Sequence, residues 1–156
     1  MSPRHTWDGD DDAEAVTTAL NYLNSKLPQG VYAVSQPFVL IDPAGDFQPG
    51  IVQHVKEEML EVMRSGYRKV VVHPDILVLR AAKRAVFDHK IVCAVELDGS
   101  IHDGRTGKKQ TVKRNKKYEM GGIGVVQVNL ADCNFAGIAP LEFMWDEVKK
   151  YLRQGF

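Results

Sequence analysis

The sequence predicts an α/β protein in which helices flank a small mixed β-sheet. Segments with apolar residues at helical spacing alternate along the chain with short apolar runs that are typical of strands. The resulting order, α, β, α, β, β, α, β, α, is that of a layered α/β architecture. The 156 residues, 44% hydrophobic and 26% charged, suffice for one domain with its own core. We therefore expect a polar tail at 1–10 and a single domain at 11–156.

The first half of the chain is predicted to begin with an amphipathic helix over 12–26. Its apolar residues recur at helical spacing: Val16, Leu20, Leu23 and Leu27. An apolar run at 31–41 predicts a strand, in which Pro37 favours an edge position or a bulge. After a proline- and glycine-bearing loop at 42–50, a second helical pattern predicts a helix over 51–65.

The second half of the chain is predicted to contain three strands and two helices. Apolar runs predict strands at 69–79, 90–98 and 123–130, and the second run is apolar enough to indicate burial on both faces. A basic helix over 108–120 follows a glycine-rich loop. A closing helix is expected to begin at Pro140. Its apolar residues share one face: Leu141, Met144, Val148 and Leu152.

Composition narrows the classes of function only in part. Basic and acidic residues balance at 20 each, so the total charge does not indicate nucleic-acid binding, although a local basic patch would still permit it. Cys93 and Cys133 form no CxxC pair, which argues against a zinc site and a disulfide framework. The sequence shows no membrane-length apolar stretch and no signal peptide, so we expect a cytoplasmic protein without a membrane partner.

Three acidic residues fall within or at the ends of two consecutive predicted strands. Asp75 follows Pro74, while Glu96 and Asp98 end the next strand and project to one face. Since consecutive strands usually pair, Asp75 is expected beside Glu96. Carboxylates that converge repel one another unless a cation neutralises them, and oxygen ligands favour Mg²⁺ or Mn²⁺. Such an ion supports phosphodiester hydrolysis, because it activates water and polarises a phosphoryl oxygen.

Each of these features also has an ordinary structural explanation. A Pro-Asp pair is commonly a turn, an acid at a strand end is commonly solvated, and Asp98-Gly99 is a turn dipeptide. Their combination favours the functional interpretation. The Pro-Asp pair lies in an apolar strand, two acids end the following strand, and a basic helix and another apolar strand come next.

At these residues the sequence resembles the PD-(D/E)XK nuclease superfamily, nearest to its very-short-patch-repair-like branch. Pro74-Asp75 matches the first half of the signature and Glu96-Leu97-Asp98 the second, and Gly99-Ser100-Ile101-His102 continues the branch pattern. The basic helix and the strand after it also match. The resemblance implies a restriction-endonuclease-like fold and a metal-dependent endonuclease.

The resemblance implies metal ligation by Asp75, Glu96 and Asp98. Glu14 of the first helix is a further ligand or simply a cap of that helix. The signature ends in a lysine that orients or deprotonates the attacking water, and this chain has Asp98 there. A second departure is Asn115, where relatives often carry an acid.

The role of the signature lysine then falls to another residue. Lys113, Lys116 or Lys117 of the basic helix is one candidate, and His102, as general base, is the other. The basic helix is expected on the side of Glu96, where it would bind the nucleic-acid backbone rather than form only a solvated face. Its candidate contacts are Lys109, Lys113, Arg114, Lys116 and Lys117.

The sequence therefore leads to a metal-dependent endonuclease that hydrolyses nucleic acid, with DNA as the expected polymer and Mg²⁺ or Mn²⁺ as cofactor. Two alternatives stay open. One is a catalytically inactive nuclease-fold module that binds nucleic acid or a protein partner. The other is a structural protein whose carboxylates are incidental. A homodimer is compatible with all three.

Overall fold

The computed structural model describes residues 12–44, 49–52, 70–81, 89–98, 105–129 and 139–154. They form three helices, which are α1 (Asp12–Lys26), α2 (Arg105–Met120) and α3 (Pro140–Gln154). The strands are β1 (Val31–Ser35), β2 (Phe38–Ile41), β3 (Gly50–Val52), β4 (Val70–Val72), β5 (Ile76–Ala81), β6 (His89–Asp98) and β7 (Val125–Asn129). This arrangement confirms the α/β class with helices flanking a mixed sheet.

Four strands form the main sheet in the order β1-β5-β6-β7. β5 pairs antiparallel with both β1 and β6, whereas β7 runs parallel to β6. The pairing of β5 with β6 confirms that the strands predicted near 69–79 and 90–98 are antiparallel neighbours. A parallel pair needs a long crossover connection, and α2 lies in the crossover between β6 and β7.

The strands predicted at 31–41 and 69–79 are each divided in two. β2 pairs with β4 in the register in which β1 pairs with β5, so the four form one antiparallel ribbon interrupted in the middle. That register places Pro37 opposite Pro74. Proline has no N–H to donate to a ladder, and the paired prolines stand where the ribbon divides between two sheets.

Two predicted boundaries were wrong. The helix expected over 51–65 does not begin there, because Gly50–Val52 forms β3 and pairs with β2 in a second sheet, β3-β2-β4. Ile51 and Val52 are β-branched and extend an apolar sheet, which overrides the helical spacing. The loop expected up to Gly107 ends earlier, since α2 begins at Arg105. The polar tail at 1–10 and the rest of 51–65 lie outside the described residues.

Apolar side chains pack on both faces of the main sheet. On one face, β5, β6 and β7 pack against α1 and α3, and the cluster includes Leu23, Val78, Cys93, Val128, Met144 and Val148. On the other face, β5 and β6 pack against the second sheet and α2, and the cluster includes Ile41, Val72, Leu77, Ala94, Tyr118 and Ile123. Neighbouring residues of β6 face opposite clusters, which confirms that this strand is buried on both faces.

The described helices lack the features of a membrane-spanning helix. Within the described residues, none combines the length and the apolar character that crossing a bilayer requires. α2 in particular is rich in lysine and arginine.

Candidate functional site

Two of the predicted acids meet at one end of the main sheet. The register of β5 and β6 pairs Ile76 with Val95, and its continuation places Asp75 opposite Glu96. Asp75 Oδ2 accepts a hydrogen bond from the Leu97 N–H at 2.8 Å. The backbone of Asp75 in turn hydrogen-bonds the Glu96 carboxylate. These reciprocal bonds fix the two side chains beside each other, as the sequence predicts.

Glu96 is buried, with 5% of its surface exposed. Its Oε1 accepts a hydrogen bond of 2.6 Å from the Tyr118 hydroxyl, and its Oε2 lies 3.5 Å from Arg114 Nη1. Arg114 and Tyr118 are four residues apart on α2, so one face of that helix supplies both contacts. A buried carboxylate needs such partners, because burial without compensation is costly.

The pKa of Glu96 is raised from 4.5 to about 7, and burial of the carboxyl group is the largest cause. The charge of Asp75 acts in the same direction, while the Tyr118 hydrogen bond and the Arg114 charge oppose the shift. Burial and the neighbouring Glu96 also raise the pKa of Tyr118, so its hydroxyl stays protonated and remains a donor to Glu96. Glu96 is therefore a carboxyl group that changes charge near neutral pH.

The donor atoms of the pair are suited to a hard cation. Mg²⁺ is commonly held by one or two carboxylates together with water and substrate phosphate. Asp75 and Glu96 repel each other when both are ionised, and a divalent cation would relieve that repulsion. Among the described side chains, no three His, Cys, Asp or Glu residues group closely enough to hold a metal. The side chain of Asp98, at the end of β6, is not among those described.

A cleft of about 280 Å³ lies between β4 and α2. It is lined by Val71, Val72, His73, Lys113, Arg114 and Lys117. Arg114 belongs both to the cleft and to the contact with Glu96, so the cleft borders the acidic pair. As expected from the sequence, Lys113 and Lys117 lie on the side of Glu96, and both are exposed.

The other residues predicted to belong to the site either lie away from Asp75 and Glu96 or fall outside the described residues. Glu14 is exposed on α1, which packs on the opposite face of the main sheet from Tyr118. Lys116 is exposed on α2 but does not line the cleft. His102 and the side chain of Lys109 lie outside the described residues.

Tyr118 is a site residue that the sequence analysis did not identify. A buried tyrosine needs a partner for its hydroxyl, and its spacing of four from Arg114 places both on one helix face. Those signals were present, but they do not say which strand the face meets. On the same helix, Arg114 Nε and Asn115 Oδ1 are buried, and none of the residues that the structure describes forms a hydrogen bond with either atom.

The site joins the Asp75–Glu96 carboxylate pair, in which Glu96 has a pKa of about 7, to a cleft lined by three basic residues on α2. Such a pair can hold a cation, and the basic residues can hold an anion directly beside it. That juxtaposition suits a ligand whose negatively charged group must meet a metal ion. No protein-family model, curated protein or solved structure matches this chain.

Proposed function

We propose that this chain is a metal-dependent endonuclease of the PD-(D/E)XK type that hydrolyses phosphodiester bonds, with DNA as the expected substrate. One observation carries the proposal. Asp75 and Glu96 are held together where β5 begins and β6 ends, directly beside a cleft lined by Lys113, Arg114 and Lys117. The mixed sheet with helices on both faces is compatible with a restriction-endonuclease-like fold. A cytoplasmic location is part of the same proposal.

Asp75 and Glu96 would hold Mg²⁺ or Mn²⁺, with Asp98 of the same strand as the third candidate. When bound, such an ion polarises a phosphoryl oxygen and lowers the pKa of a water molecule. Tyr118 orients the Glu96 carboxylate through its hydrogen bond to Oε1. Asp75 is oriented by the Leu97 N–H. The protein thus prepares the positions of both carboxylates.

The basic residues of α2 have a separate task. Lys113 and Lys117 would neutralise the phosphate group in the cleft and keep the strand in position. Because position 98 is not lysine, one of these two residues, or His102 as general base, would orient or deprotonate the attacking water. Lys113 and Lys117 line the cleft beside the acidic pair, which favours them for this role.

A second candidate function follows from the contacts of Glu96. Both of its carboxylate oxygens are engaged, one by Tyr118 and the other by Arg114. A metal ion at Glu96 must therefore compete with the Arg114 guanidinium. If the ion pair between Arg114 and Glu96 prevents metal binding, the chain is a catalytically inactive module that binds nucleic acid through the cleft without cleaving it.

The decisive experiment combines cleavage with metal binding. Plasmid and single-stranded DNA are incubated with the protein in Mg²⁺ or Mn²⁺, and divalent-metal binding is measured by calorimetry and by the thermal shift of unfolding. We expect cleavage and a metal-dependent rise in Tm, because an ion that binds only the folded state stabilises it. Glu96→Ala should abolish both effects.

Glu119→Ala is the matched control, since Glu119 is an exposed acid on α2, one residue after Tyr118. It should retain cleavage and metal binding. Binding of DNA without metal binding or cleavage would establish the inactive module instead. If the protein binds neither metal nor DNA, the carboxylates have a structural role only.

A further inference from the structure

We propose that the cleft between β4 and α2 holds one unpaired nucleotide, so that the chain acts on single-stranded nucleic acid in preference to a duplex. The proposal rests on the proposed function, because it names the substrate that the acidic pair would meet. It is carried by the size of the cleft, the chemistry of its two sides and the fixed ring of His73.

The size of the cleft limits what can enter it. Its volume is about 280 Å³, just below the range of roughly 300–1,000 Å³ that small-molecule pockets occupy. A single nucleotide is a ligand of small-molecule size. A base pair inside a duplex is held in its stack and cannot enter, so a duplex would only lie across the rim.

The two sides of the cleft differ in chemistry. On α2, Lys113 and Lys117 are four residues apart and exposed, so they form a cationic side suited to a phosphate. On β4, Val71 and Val72 line the cleft beside His73, so the two valines bring no charge to this side. A duplex backbone would use only the lysines, whereas an unpaired nucleotide would use both sides at once.

His73 is the aromatic element of the cleft. Its ring is stacked on Phe38, with centroids 4.3 Å apart and planes inclined by 17°, and its Nδ1 lies 3.1 Å from the Pro37 carbonyl oxygen. These contacts hold an exposed ring in one orientation. A cationic groove combined with an aromatic surface is the usual means by which proteins bind single strands, since every base can stack.

The cleft also lies where a bound strand can reach the acidic pair. Arg114 lines the cleft and contacts Glu96, and His73 is two residues before Asp75. A phosphate held by Lys113 and Lys117 is therefore adjacent to the carboxylates. The nucleotide in the cleft would be the neighbour of the bond to be cleaved.

The test measures binding without cleavage, by fluorescence anisotropy in EDTA. The ligands are a labelled oligothymidine and the same strand annealed to oligoadenosine. We expect the single strand to bind roughly tenfold or more tightly than the duplex, the scale of one base–aromatic contact. His73→Ala should abolish that preference, whereas His73→Phe, which keeps a ring on Phe38, should retain it.

Charge reversal distinguishes the two sides of the cleft. Lys113→Glu combined with Lys117→Glu should weaken the binding of both ligands and flatten the salt dependence. Lys90→Glu and Lys150→Glu together are the matched control, because both residues are exposed and neither lines the cleft. Thermal unfolding of each variant shows that it is folded.

Equal binding of single strand and duplex, or a preference that His73→Ala leaves intact, would overturn the inference. If the protein nevertheless cleaves plasmid, the proposed nuclease function stands and only the preference for single strands is rejected. A single-strand preference that depends on His73, in a protein that cleaves nothing, would support the nucleotide cleft and reject the nuclease.

Discussion

Arg114 makes the contact that decides between the two candidate functions. Its Nη1 lies 3.5 Å from Glu96 Oε2, and its side chain also lines the cleft. Its Nε is buried and donates to no partner in the described part of the chain, so the described residues satisfy the guanidinium only in part. A residue with one charge and two possible anionic partners can pair with Glu96 or with a phosphate.

Arg114→Ala should have opposite effects on the two ligands of the site. Loss of the guanidinium removes the cation that competes with a metal at Glu96, so Mg²⁺ should bind more tightly. The same change removes a positive charge from the cleft, so single-stranded DNA should bind more weakly. Because loss of the Arg114 charge also raises the pKa of Glu96, calorimetry compares the two proteins at a series of pH values above about 7. Anisotropy in EDTA measures the DNA.

Arg153→Ala is the control for Arg114, because Arg153 is exposed near the end of α3. It should leave metal affinity unchanged. A weaker metal affinity in Arg114→Ala would mean that Arg114 positions Glu96 for the ion instead of competing with it.

At the scale of elements, the site depends on how α2 and β7 are placed against β6. α2 directs Tyr118 and Arg114 toward Glu96, and the turn after it leads through Gly124 into β7. The Gly124 carbonyl accepts a hydrogen bond of 2.8 Å from the Ala94 N–H, which fixes the start of β7 beside β6. A Cβ at Gly124 would overlap the ring of Tyr151 on α3.

Gly124→Ala should destabilise the fold, because Tyr151 must move to admit the methyl group. Overpacking of this kind costs typically 1–3 kcal/mol, so we expect a loss of about that size in the free energy of unfolding. Urea denaturation measures it. Gly50→Ala is the control, since a Cβ there meets nothing within 4 Å.

A double mutant tests whether the contact with Tyr151 causes the loss of stability in Gly124→Ala. In a Tyr151→Ala background the methyl group has space, and Gly124→Ala should cost much less than it does alone. Equal costs in both backgrounds would mean that the close approach of Gly124 to Tyr151 does not limit stability.

At the scale of the whole molecule, the main sheet is buried between two apolar layers, and Glu96 lies within the layer formed by α2 and the second sheet. Glu96 is buried, and this burial is the largest cause of its raised pKa. Folding therefore favours the protonated form of Glu96. The stability of the protein should depend on pH for this reason.

Without divalent metal, the free energy of unfolding should decrease between pH 4.5 and about 7. In that window the unfolded chain has released the Glu96 proton while the folded protein retains it, so the stabilisation present at lower pH is lost as pH rises. The contribution is on the order of 3 kcal/mol. Glu96→Gln has no charge to titrate and should remove this part of the slope in urea denaturation.

Glu119→Gln is the control for that measurement, because Glu119 is exposed and on the same helix as Tyr118. It should keep the slope of the unmodified protein. An identical pH dependence in Glu96→Gln would show that Glu96 is not the group responsible.

Much of the fold could be predicted because its signals are local. The helix at 12–26, the closing helix from Pro140 and the strand that became β6 follow from periodicity within each segment. The meeting of Asp75 with Glu96 also follows from local information, since consecutive strands usually pair and alternation then sets the face.

The rest required contacts between segments that are distant in the chain. Pro37 and Pro74 each allow an edge strand, and only their opposition in one ribbon explains the division into two sheets. The hydrogen-bond and ion-pair partners of Glu96 could not be predicted from the sequence either. A helix sequence shows that Arg114 and Tyr118 share a face, but packing alone decides that this face meets β6.

The sequence by itself determined the class of fold, the acidic pair and the basic character of α2, since each is written in spacing, pairing of neighbours or composition. Only the tertiary structure decided that Glu96 is buried between Tyr118 and Arg114, and that His73 shares a cleft with Lys113. The physical reason is that burial and charge pairing depend on which surfaces pack together. A single segment does not contain that information.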